Sequence, residues 1–396
     1  MPPRSLAIYI PRLEAISHHY LCGVWRYLRE HGGWELATQQ GMPWLDWDTL
    51  QRFRGDGIIA VVYTQAEYHA LRRRRRTACV NICARCETPA LATVYSDNPA
   101  IGRLAAETLW ETGVRRFAFV GRPDFVHDRV RGEGFRMELA RRGADCEPIE
   151  VQSLKDHPAD SVDMKLIGRS LRELVRPVGI FAAHDQLGCQ VLSACRKLAI
   201  EVPNEAAVLG VNDFHVLCET AQPPLSSIRQ QAARTGYEAA RLLTAIVEGR
   251  ADPKTQILLP PGPVVRRRST DMLAVGDPDV LEALEFVRQR FEDPITAADV
   301  AGHVAVSRRG LDKRFVAAVG QTVAAELLKV RLRHGMELLA QTELSTTAVS
   351  LRCGFSSISS FYRAFQNATG MTPSQYRKRS TNSGPHPNVL TSEDTA

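Results

Sequence analysis

The stretch RCGFSSISSFYRAFQNATGMTPSQYR, from Arg352 to Arg377, decides how the C-terminal part of the chain is organised. Gly354 breaks one helix, and Ser357 stands where the N-cap of the next helix is expected. Phe361 and Phe365 follow at i and i+4, so both rings lie on one buried face. A helix, a tight glycine turn and a capped helix together present a second helix to the DNA major groove. The stretch therefore predicts a helix-turn-helix.

A second copy of this pattern lies upstream. Thr296 caps a helix, the chain turns, and Ser307 caps a helix whose inner face carries Leu311 and Phe315. Between the two copies, residues 324–340 read as one helix of roughly 25 Å, which can hold two reading helices near the one-turn DNA spacing of about 34 Å. The side chains expected to face DNA are Ser307, Arg308, Arg309, Asp312, Lys313, Ser357, Ser359, Ser360 and Arg363.

Length and composition set limits on the rest of the chain. With 396 residues, at about 150 residues per domain, two or three domains are expected. The net charge of +6 permits nucleic acid as a partner without requiring it. No apolar run approaches the roughly 20 residues of a membrane span, and the N-terminus lacks the apolar core of a signal peptide. We therefore expect a cytoplasmic protein with no membrane partner, whose nine cysteines stay reduced.

The N-terminal part alternates between apolar runs and helical patterns. LAIYI at Leu6–Ile10, RFAFVG at Arg116–Gly121 and VGIFA at Val178–Ala182 are typical of buried parallel strands. Helical spacing of apolar residues separates each of them from the next strand. Such alternation predicts doubly wound parallel α/β sheets.

The composition changes after residue 253, and from Pro278 onward every pattern is helical. We therefore predict three segments: a ligand-binding domain over residues 1–272, a DNA-binding domain over 273–380, and a disordered polar tail over 381–396. The predicted fold class is α/β followed by all-α.

The C-terminal part closely resembles the AraC-type DNA-binding domain. The resemblance runs from about Val280 to Arg379 and includes A-x(5)-C-G-F at Ala348–Phe355, F-x-x-x-F at Phe361–Phe365, and G-x-x-P-x-x-Y-R at Gly370–Arg377. It implies that both helix-turn-helix units touch DNA in adjacent major grooves. Gly310 departs from a good helix pattern, because glycine inside a helix costs about 1 kcal/mol relative to alanine.

The N-terminal part resembles the ligand-binding core of lac-repressor-type regulators and of periplasmic sugar-binding proteins. The matching pieces are VYSDNPAIG at Val94–Gly102, RGEGFRMEL at Arg131–Leu139, GIFAAHDQLG at Gly179–Gly188 and EVPNEAAVLGVNDF at Glu201–Phe214. Resemblance implies two periplasmic-binding-protein-like lobes hinged around a cleft. Such a sensor joined to an AraC-type reader is the combination found in xylose-operon regulators.

Four polar residues are candidates for binding a ligand in the cleft. Arg131, Asp185, Asn212 and Asp213 lie after strands or at the start of a helix, where the ligands of parallel sheets bind. Each has a structural alternative: Asp185 would only cap its helix, Asn212 and Asp213 would only form a turn, and Arg131 would only pair with a surface carboxylate.

The cysteines allow a different class of protein. Cys79, Cys83 and Cys86 have the C-x3-C-x2-C spacing that can hold an iron–sulfur cluster. The alternative function is therefore an iron–sulfur or alkyl-acceptor enzyme with an appended DNA-binding domain. The simpler interpretation treats these cysteines as small apolar residues of a buried strand.

The preferred interpretation is a non-enzymatic, sequence-specific transcription regulator, an activator of carbohydrate-utilisation genes, with no cofactor and no metal. The expected partners are a double-stranded DNA operator and a small sugar such as xylose. The resemblance further implies a homodimer, and an activator would contact RNA polymerase.

Overall fold

The computed structural model describes residues 3–11, 15–152, 163–271, 277–319, 321–342 and 344–382. The chain divides into two compact units, Met1–Met272 and Leu273–Ala396, which are called the sensor and the reader below. Residues 383–396, where most of the predicted tail falls, lie outside the described residues.

The sensor contains two lobes, each built on a six-stranded sheet. In chain order its elements are β1 (Arg4–Tyr9), α1 (Ala15–His31), β2 (Trp34–Leu36), α2 (Trp47–Arg52), β3 (Gly57–Ala60), α3 (Gln65–Arg72), β4 (Ala78–Asn81), β5 (Ala92–Ser96), α4 (Asn98–Trp110), β6 (Phe117–Gly121), α5 (Val126–Arg141), β7 (Cys146–Glu150), α6 (Met164–Glu173), β8 (Val178–Ala182), α7 (Asp185–Lys197), β9 (Ala206–Asn212), α8 (His215–Thr220), β10 (Ser226–Arg229), α9 (Ala232–Val247), β11 (Gln256–Leu259) and β12 (Val264–Val265). A 3-10 turn at Arg268–Thr270 follows.

Lobe 1 has the strand order β11-β5-β4-β3-β1-β2, with every pairing parallel. Helices α1 and α9 cover one face of its sheet, and α2 and α3 cover the other. Both faces are therefore buried, which is why β3 (GIIA) is a continuous apolar run without polar alternation.

Lobe 2 repeats this plan with the order β12-β10-β9-β8-β6-β7. All pairings are parallel except that of β12 with β10. Every residue of β6 (FAFVG) and β8 (VGIFA) is buried, because α4, α5, α6 and α7 pack around the sheet.

The chain passes between the lobes three times: from β5 to α4, from β10 to α9, and from β11 to β12. Parallel strands place their carboxyl ends along one edge of each sheet, so the polar residues that follow the strands meet where the lobes face each other. The three crossings position the candidate ligand residues.

The regular elements described in the reader are all helices. They are α10 (Pro278–Arg290), α11 (Ala297–His303), α12 (Arg308–Val319), α13 (Val323–Gln341), α14 (Thr346–Arg352), α15 (Ile358–Thr369) and α16 (Pro373–Asn382). α13 has 19 residues, two more than the sequence pattern predicts, because Thr322 caps it one residue earlier and it continues to Gln341. α16 reaches two residues into the predicted tail.

Two apolar clusters divide the reader into halves that share α13. Leu311 and Phe315 are buried in the first half, and Phe361 and Phe365 in the second, all at 0 % exposure. Each half is one helix-turn-helix. The predicted class, a two-lobed α/β sensor followed by an all-helical double helix-turn-helix, is confirmed.

Gly354 holds the turn of the second helix-turn-helix and gives a testable prediction. Its φ is +71°, and a Cβ there would lie 2.2 Å from the carbonyl oxygen of Phe291 and 2.9 Å from Nε of Arg331. Arg331 itself donates to the Phe291 carbonyl at 2.8 Å, so neither group can move away easily. We expect Gly354→Ala to destabilise the reader by more than the roughly 1–3 kcal/mol of left-handed backbone strain alone.

Gly370→Ala is the matched control, because Gly370 has nearly the same φ of +69° but nothing within 4 Å of the added Cβ. Urea unfolding followed by circular dichroism measures both variants. Equal decreases of unfolding free energy in the two would show that the contact with Phe291 has no role.

Candidate DNA interface and ligand cleft

The first helix-turn-helix consists of α11, a turn and α12. Thr296 caps α11 in a capping box with Asp299, and Ala305 turns the chain with a left-handed φ of +54°. The hydroxyl oxygen of Ser307 then accepts from the backbone N–H of Gly310 at 3.2 Å. The cap that the sequence predicts is therefore formed, and it fixes the first turn of α12.

The predicted DNA-facing side chains of α12 differ in their surroundings. Arg308, Arg309 and Lys313 are exposed. Asp312 is half-buried, accepts from the backbone N–H of Val323 at 3.2 Å, and lies 3.9 Å from Nε of Arg308. The carboxylate of Asp312 thus supports the start of α13, and the exposed edge of the helix is cationic.

Arg314 also lies on α12, but its side chain points toward α10 and away from this cationic edge. Its guanidinium donates to Asp277 and pairs with Asp279 at 2.7 Å, so it joins α12 to the start of α10. This pairing lowers the pKa of Asp277.

The second helix-turn-helix consists of α14, the Gly354 turn and α15. Ser357 caps α15 by accepting from the backbone N–H of Ser360 at 3.2 Å. The hydroxyl of Ser360 donates back to the carbonyl of Ser357 at 2.7 Å, so this side chain is occupied within its own turn. Ser359 and Arg363 are exposed. These placements agree with the predicted reading helices, whose contacts with DNA remain a prediction.

In the sensor, Arg131 on α5 lies deep between the lobes. Its Nε donates to the side-chain oxygen of Asn98 at 2.9 Å, and a second nitrogen donates to the carbonyl of Ala183. Burial lowers the pKa of Arg131. The alternative of a surface pair with a carboxylate does not describe this residue, which is 3 % exposed and bonded to an amide and a carbonyl.

A second polar group follows β6 and β8. Arg122 donates to Nε2 of His184 at 2.6 Å, and the backbone N–H of Arg122 donates to Asp128 at 3.0 Å. Burial lowers the pKa of His184 to about 3, so the imidazole is neutral and accepts from Arg122. His184, rather than Asp185, is the N-cap of α7.

Asp185 is buried, and both of its oxygens are occupied. One accepts from the hydroxyl of Ser227 at 2.5 Å and the other from the backbone N–H of Phe214 at 2.7 Å. Burial raises the pKa of Asp185 to about 7. The carboxylate therefore holds the turn that follows β9, and its role as a sugar ligand remains a prediction.

That turn contains Asn212 and Asp213, whose φ values are +115° and +53°. The side chain of Gln230 joins it to lobe 1, because Gln230 donates to Asn212 and accepts from Ser96 at 2.6 Å. Ser96 ends β5 of lobe 1 and Asn212 ends β9 of lobe 2, so this short chain of hydrogen bonds crosses between the lobes.

Asp213 points toward the end of the sensor. Its carboxylate pairs with Arg229 at 2.6 Å and with Arg267 at 2.9 Å. Arg267 also pairs with Glu219 at 2.6 Å and donates to the carbonyl of Leu225 at 3.0 Å. Asp213 thus anchors the segment that leaves the sensor, while its neighbour Asn212 lies at the crossing between lobes.

The lobes also meet through an arginine. The guanidinium of Arg85, in lobe 1, lies 4.4 Å from the ring centre of Tyr63 and 3.9 Å from that of Phe125 in lobe 2. The backbone N–H of Val126 donates to the carbonyl of Arg85 at 3.1 Å. The two lobes are therefore joined by the contacts of Arg85 as well as by the three crossings of the chain.

Sequence reasoning missed several of these polar residues. Arg122 and His184 follow strands that were predicted, and the rule that ligands bind after parallel strands applies to them equally. Ser96, Asn98 and Gln230 obey the same rule for β5 and β10.

The three cysteines of the enzyme alternative do not converge. Cys79 and Cys86 pack with the cluster on one face of the lobe 1 sheet, and Cys83 packs with the cluster on the other face. Burial raises the pKa of Cys79 to about 12 and that of Cys86 to about 11, so both thiols stay protonated. Within the described residues, no group of three or more metal-ligating side chains is close enough to hold an ion.

No helix in the described parts of the chain is long and apolar enough to span a membrane.

Comparison with family models divides the chain in the same way as its fold. A periplasmic binding protein-like domain matches residues 106–270, and a helix-turn-helix domain matches residues 300–379. The first range covers most of lobe 2 together with α9 and β11 of lobe 1, and the second covers most of the reader.

Individual relatives match across both units. The chain is 32% identical over 300 residues to the xylose operon regulatory protein of Escherichia coli K12, covering 73% of this chain and 74% of the relative. It is 30% identical over 299 residues to the protein of that name in Haemophilus influenzae, covering 73% and 75%. Both names describe a regulator, and neither describes an iron–sulfur or alkyl-acceptor enzyme.

A solved structure, that of the xylose-binding transcription activator xylR, matches with a TM-score of 0.66 and 28% identity over 96% of this chain and 99% of that one. The complex of the regulator CelR with cellobiose shares the sensor fold, with a TM-score of 0.53 and 24% identity over 68% of this chain and 86% of that one. The chain belongs to the family of the xylose operon regulatory proteins, which are sugar-responsive DNA-binding transcription regulators.

Proposed function

We propose that this chain is a cytoplasmic activator of carbohydrate-utilisation genes, and that xylose or a closely related pentose binds between the lobes of its sensor. The observation that carries the proposal is a continuous path: hydrogen bonds join Ser96 to Gln230 and Gln230 to Asn212, the backbone continues to Asp213, and Asp213 bonds to Arg267. This path joins the crossing between the lobes to the segment that leads to the reader. The names of the relatives support the choice of sugar.

The chemistry of the cleft suits a sugar. Arg131 supplies guanidinium donors from a buried position, and Asn212 supplies an amide that both donates and accepts. Vicinal hydroxyl groups need such paired donors and acceptors. Arg131 and Asn212 contact the sugar, Asp185 holds the turn in which Asn212 lies, and Asp213 anchors the exit segment through Arg267.

The sugar signal leaves the cleft through this turn. A ligand that binds better when the lobes are close shifts Ser96 and Gln230 relative to Asn212. Asn212 and Asp213 both have left-handed φ values, so the turn has few alternative conformations. Movement of the turn is therefore passed to Arg267 as a displacement, and the segment beyond Arg267 carries it toward the reader.

On DNA, the two helix-turn-helix units read adjacent major grooves, one with α12 and the other with α15. Arg308, Arg309, Lys313 and Arg363 contact phosphates and base edges. Two copies of the chain bind as a homodimer, and the bound dimer contacts RNA polymerase. Analytical ultracentrifugation tests the dimer directly.

A panel of sugars tests the sensor. We expect xylose to raise the melting temperature of the full-length chain more than arabinose, ribose or glucose, since a ligand at 100 times its Kd stabilises the folded state by about 2.7 kcal/mol. Asn212→Ala should remove most of this shift. Thermal unfolding followed by fluorescence measures it. The proposal fails if none of these sugars changes the melting temperature.

Exposed arginines test the reader. We expect Arg309→Gln and Arg363→Gln to weaken DNA binding. Loss of a phosphate contact lowers the affinity for every sequence and reduces the slope of log K against log salt by about 1. Loss of a base contact instead costs about 1–3 kcal/mol at one base position. Fluorescence anisotropy with labelled duplexes distinguishes the two cases. Arg290→Gln is the control, because Arg290 is equally a reader arginine but pairs with Asp293 at the end of α10. Equal binding by all three variants would place the DNA interface elsewhere.

The junction between sensor and reader is tested separately. We expect Asp213→Asn to keep the xylose-induced melting shift but to lose most of the sugar-dependent change in DNA affinity, because the weakened pair with Arg267 no longer transmits movement of the turn. Arg176→Gln, which breaks a surface pair with Glu205 in the same lobe, should leave both properties unchanged. A full sugar response in Asp213→Asn would contradict this route.

A further inference from the structure

Lobe 1 carries a surface that the cleft and the reader do not use. Arg72 ends α3, and Arg73, Arg75 and Arg76 follow it, while Arg52 and Arg54 lie at the end of α2. All six side chains are exposed. They are called the arginine corner below.

The fold, rather than the sequence run alone, assembles this surface. Arg74 is the one member of the run that turns inward, and it donates to the carbonyls of Leu50 at 2.6 Å and Phe53 at 2.8 Å. The last carbonyls of α2 are thereby satisfied, and the run 72–76 is held beside Arg52 and Arg54. Thr77 adds a hydrogen bond to the carbonyl of Gly55 at 2.9 Å.

The arginine corner accounts for the net positive charge of the sensor. Residues 1–271 contain 36 Lys and Arg against 31 Asp and Glu. Outside residues 52–76 the sensor has 29 of each, so its whole excess of basic groups lies in these 25 residues.

Several other surface arginines of the sensor have carboxylate partners, as Arg4 has Glu248, Arg142 has Glu138 and Arg176 has Glu205. Among the residues that the structure describes, no member of the arginine corner pairs with a carboxylate. Guanidinium ions grouped without carboxylates repel one another and attract a polyanion.

We propose that the arginine corner is a second, sequence-independent DNA-binding surface, which contacts phosphate groups flanking the DNA held by the reader. Guanidinium groups bind phosphate oxygens in a bidentate manner and cannot lose their charge near neutral pH. DNA is favoured over an acidic protein because the reader, on the same chain, keeps DNA phosphates at high effective concentration.

Full-length protein and mixed-sequence duplexes of about 20 and about 60 base pairs test this proposal, the shorter one covering only the adjacent grooves of one reader. The variant carries Arg72→Gln, Arg73→Gln, Arg75→Gln and Arg76→Gln, and keeps Arg74 because of its hydrogen bonds. We expect it to bind the long duplex about tenfold more weakly and the short duplex as well as the unchanged chain. The slope of log K against log salt on the long duplex should shrink by roughly 0.9 for each phosphate that the variant no longer neutralises.

A charge-matched control carries Arg103→Gln, Arg136→Gln, Arg169→Gln and Arg172→Gln on lobe 2, where all four side chains are exposed. It should bind both duplexes normally. Equal affinities of the corner variant and this control for the long duplex would overturn the proposal. So would unchanged DNA binding together with an absence of transcription activation, which would assign the corner to an acidic protein partner. Arg309→Gln separates the two surfaces, because it should weaken binding to both duplexes.

Discussion

The ion pair between Asp213 and Arg267 fixes how the sensor ends. Both side chains are almost fully buried, at 3 % and 8 % exposure. Each also has a second ionic partner, Arg229 for Asp213 and Glu219 for Arg267. The pair keeps its place because Asp185, behind it, holds the backbone of the same turn through Phe214. Asp185 thus positions Asp213, and Asp213 positions the segment that leaves the sensor.

The turn at Asn212 and Asp213 connects the crossing between the lobes to the segment that leaves the sensor. Asn212 bonds to Gln230 and through it to Ser96 of the other lobe, while its neighbour Asp213 bonds to the exit segment. Adjacent residues of an extended strand point to opposite sides, and the left-handed backbone at both positions redirects them further. A displacement on the cleft side therefore has a short covalent route to the junction side.

The reader depends on close packing around one backbone position. Gly354 lies against the carbonyl of Phe291 and the side chain of Arg331, and Arg331 also bonds to the carbonyls of Asp293 and Ile295. The turn of the second helix-turn-helix is thereby packed against the loop that precedes the first. This contact, with α13, holds the two reading helices in one fixed arrangement.

Local patterns were enough to predict the alternation of strands and helices, the caps Ser307 and Ser357 and the buried i, i+4 pairs of the two reading helices, because these depend on neighbours within a few residues. Asp185, Asn212 and Asp213 lie at the ends of strands, as the sequence predicts, whereas Arg131 lies inside α5, because that helix begins at Val126 and not at Val130. The direction of their side chains could not be predicted, because it depends on partners far away in the chain: Asn98 is 33 residues from Arg131, Ser227 is 42 from Asp185, and Arg267 is 54 from Asp213. The sequence likewise could not predict that Arg52 and Arg54 lie beside the run 72–76, because that placement depends on the long-range hydrogen bonds of Arg74.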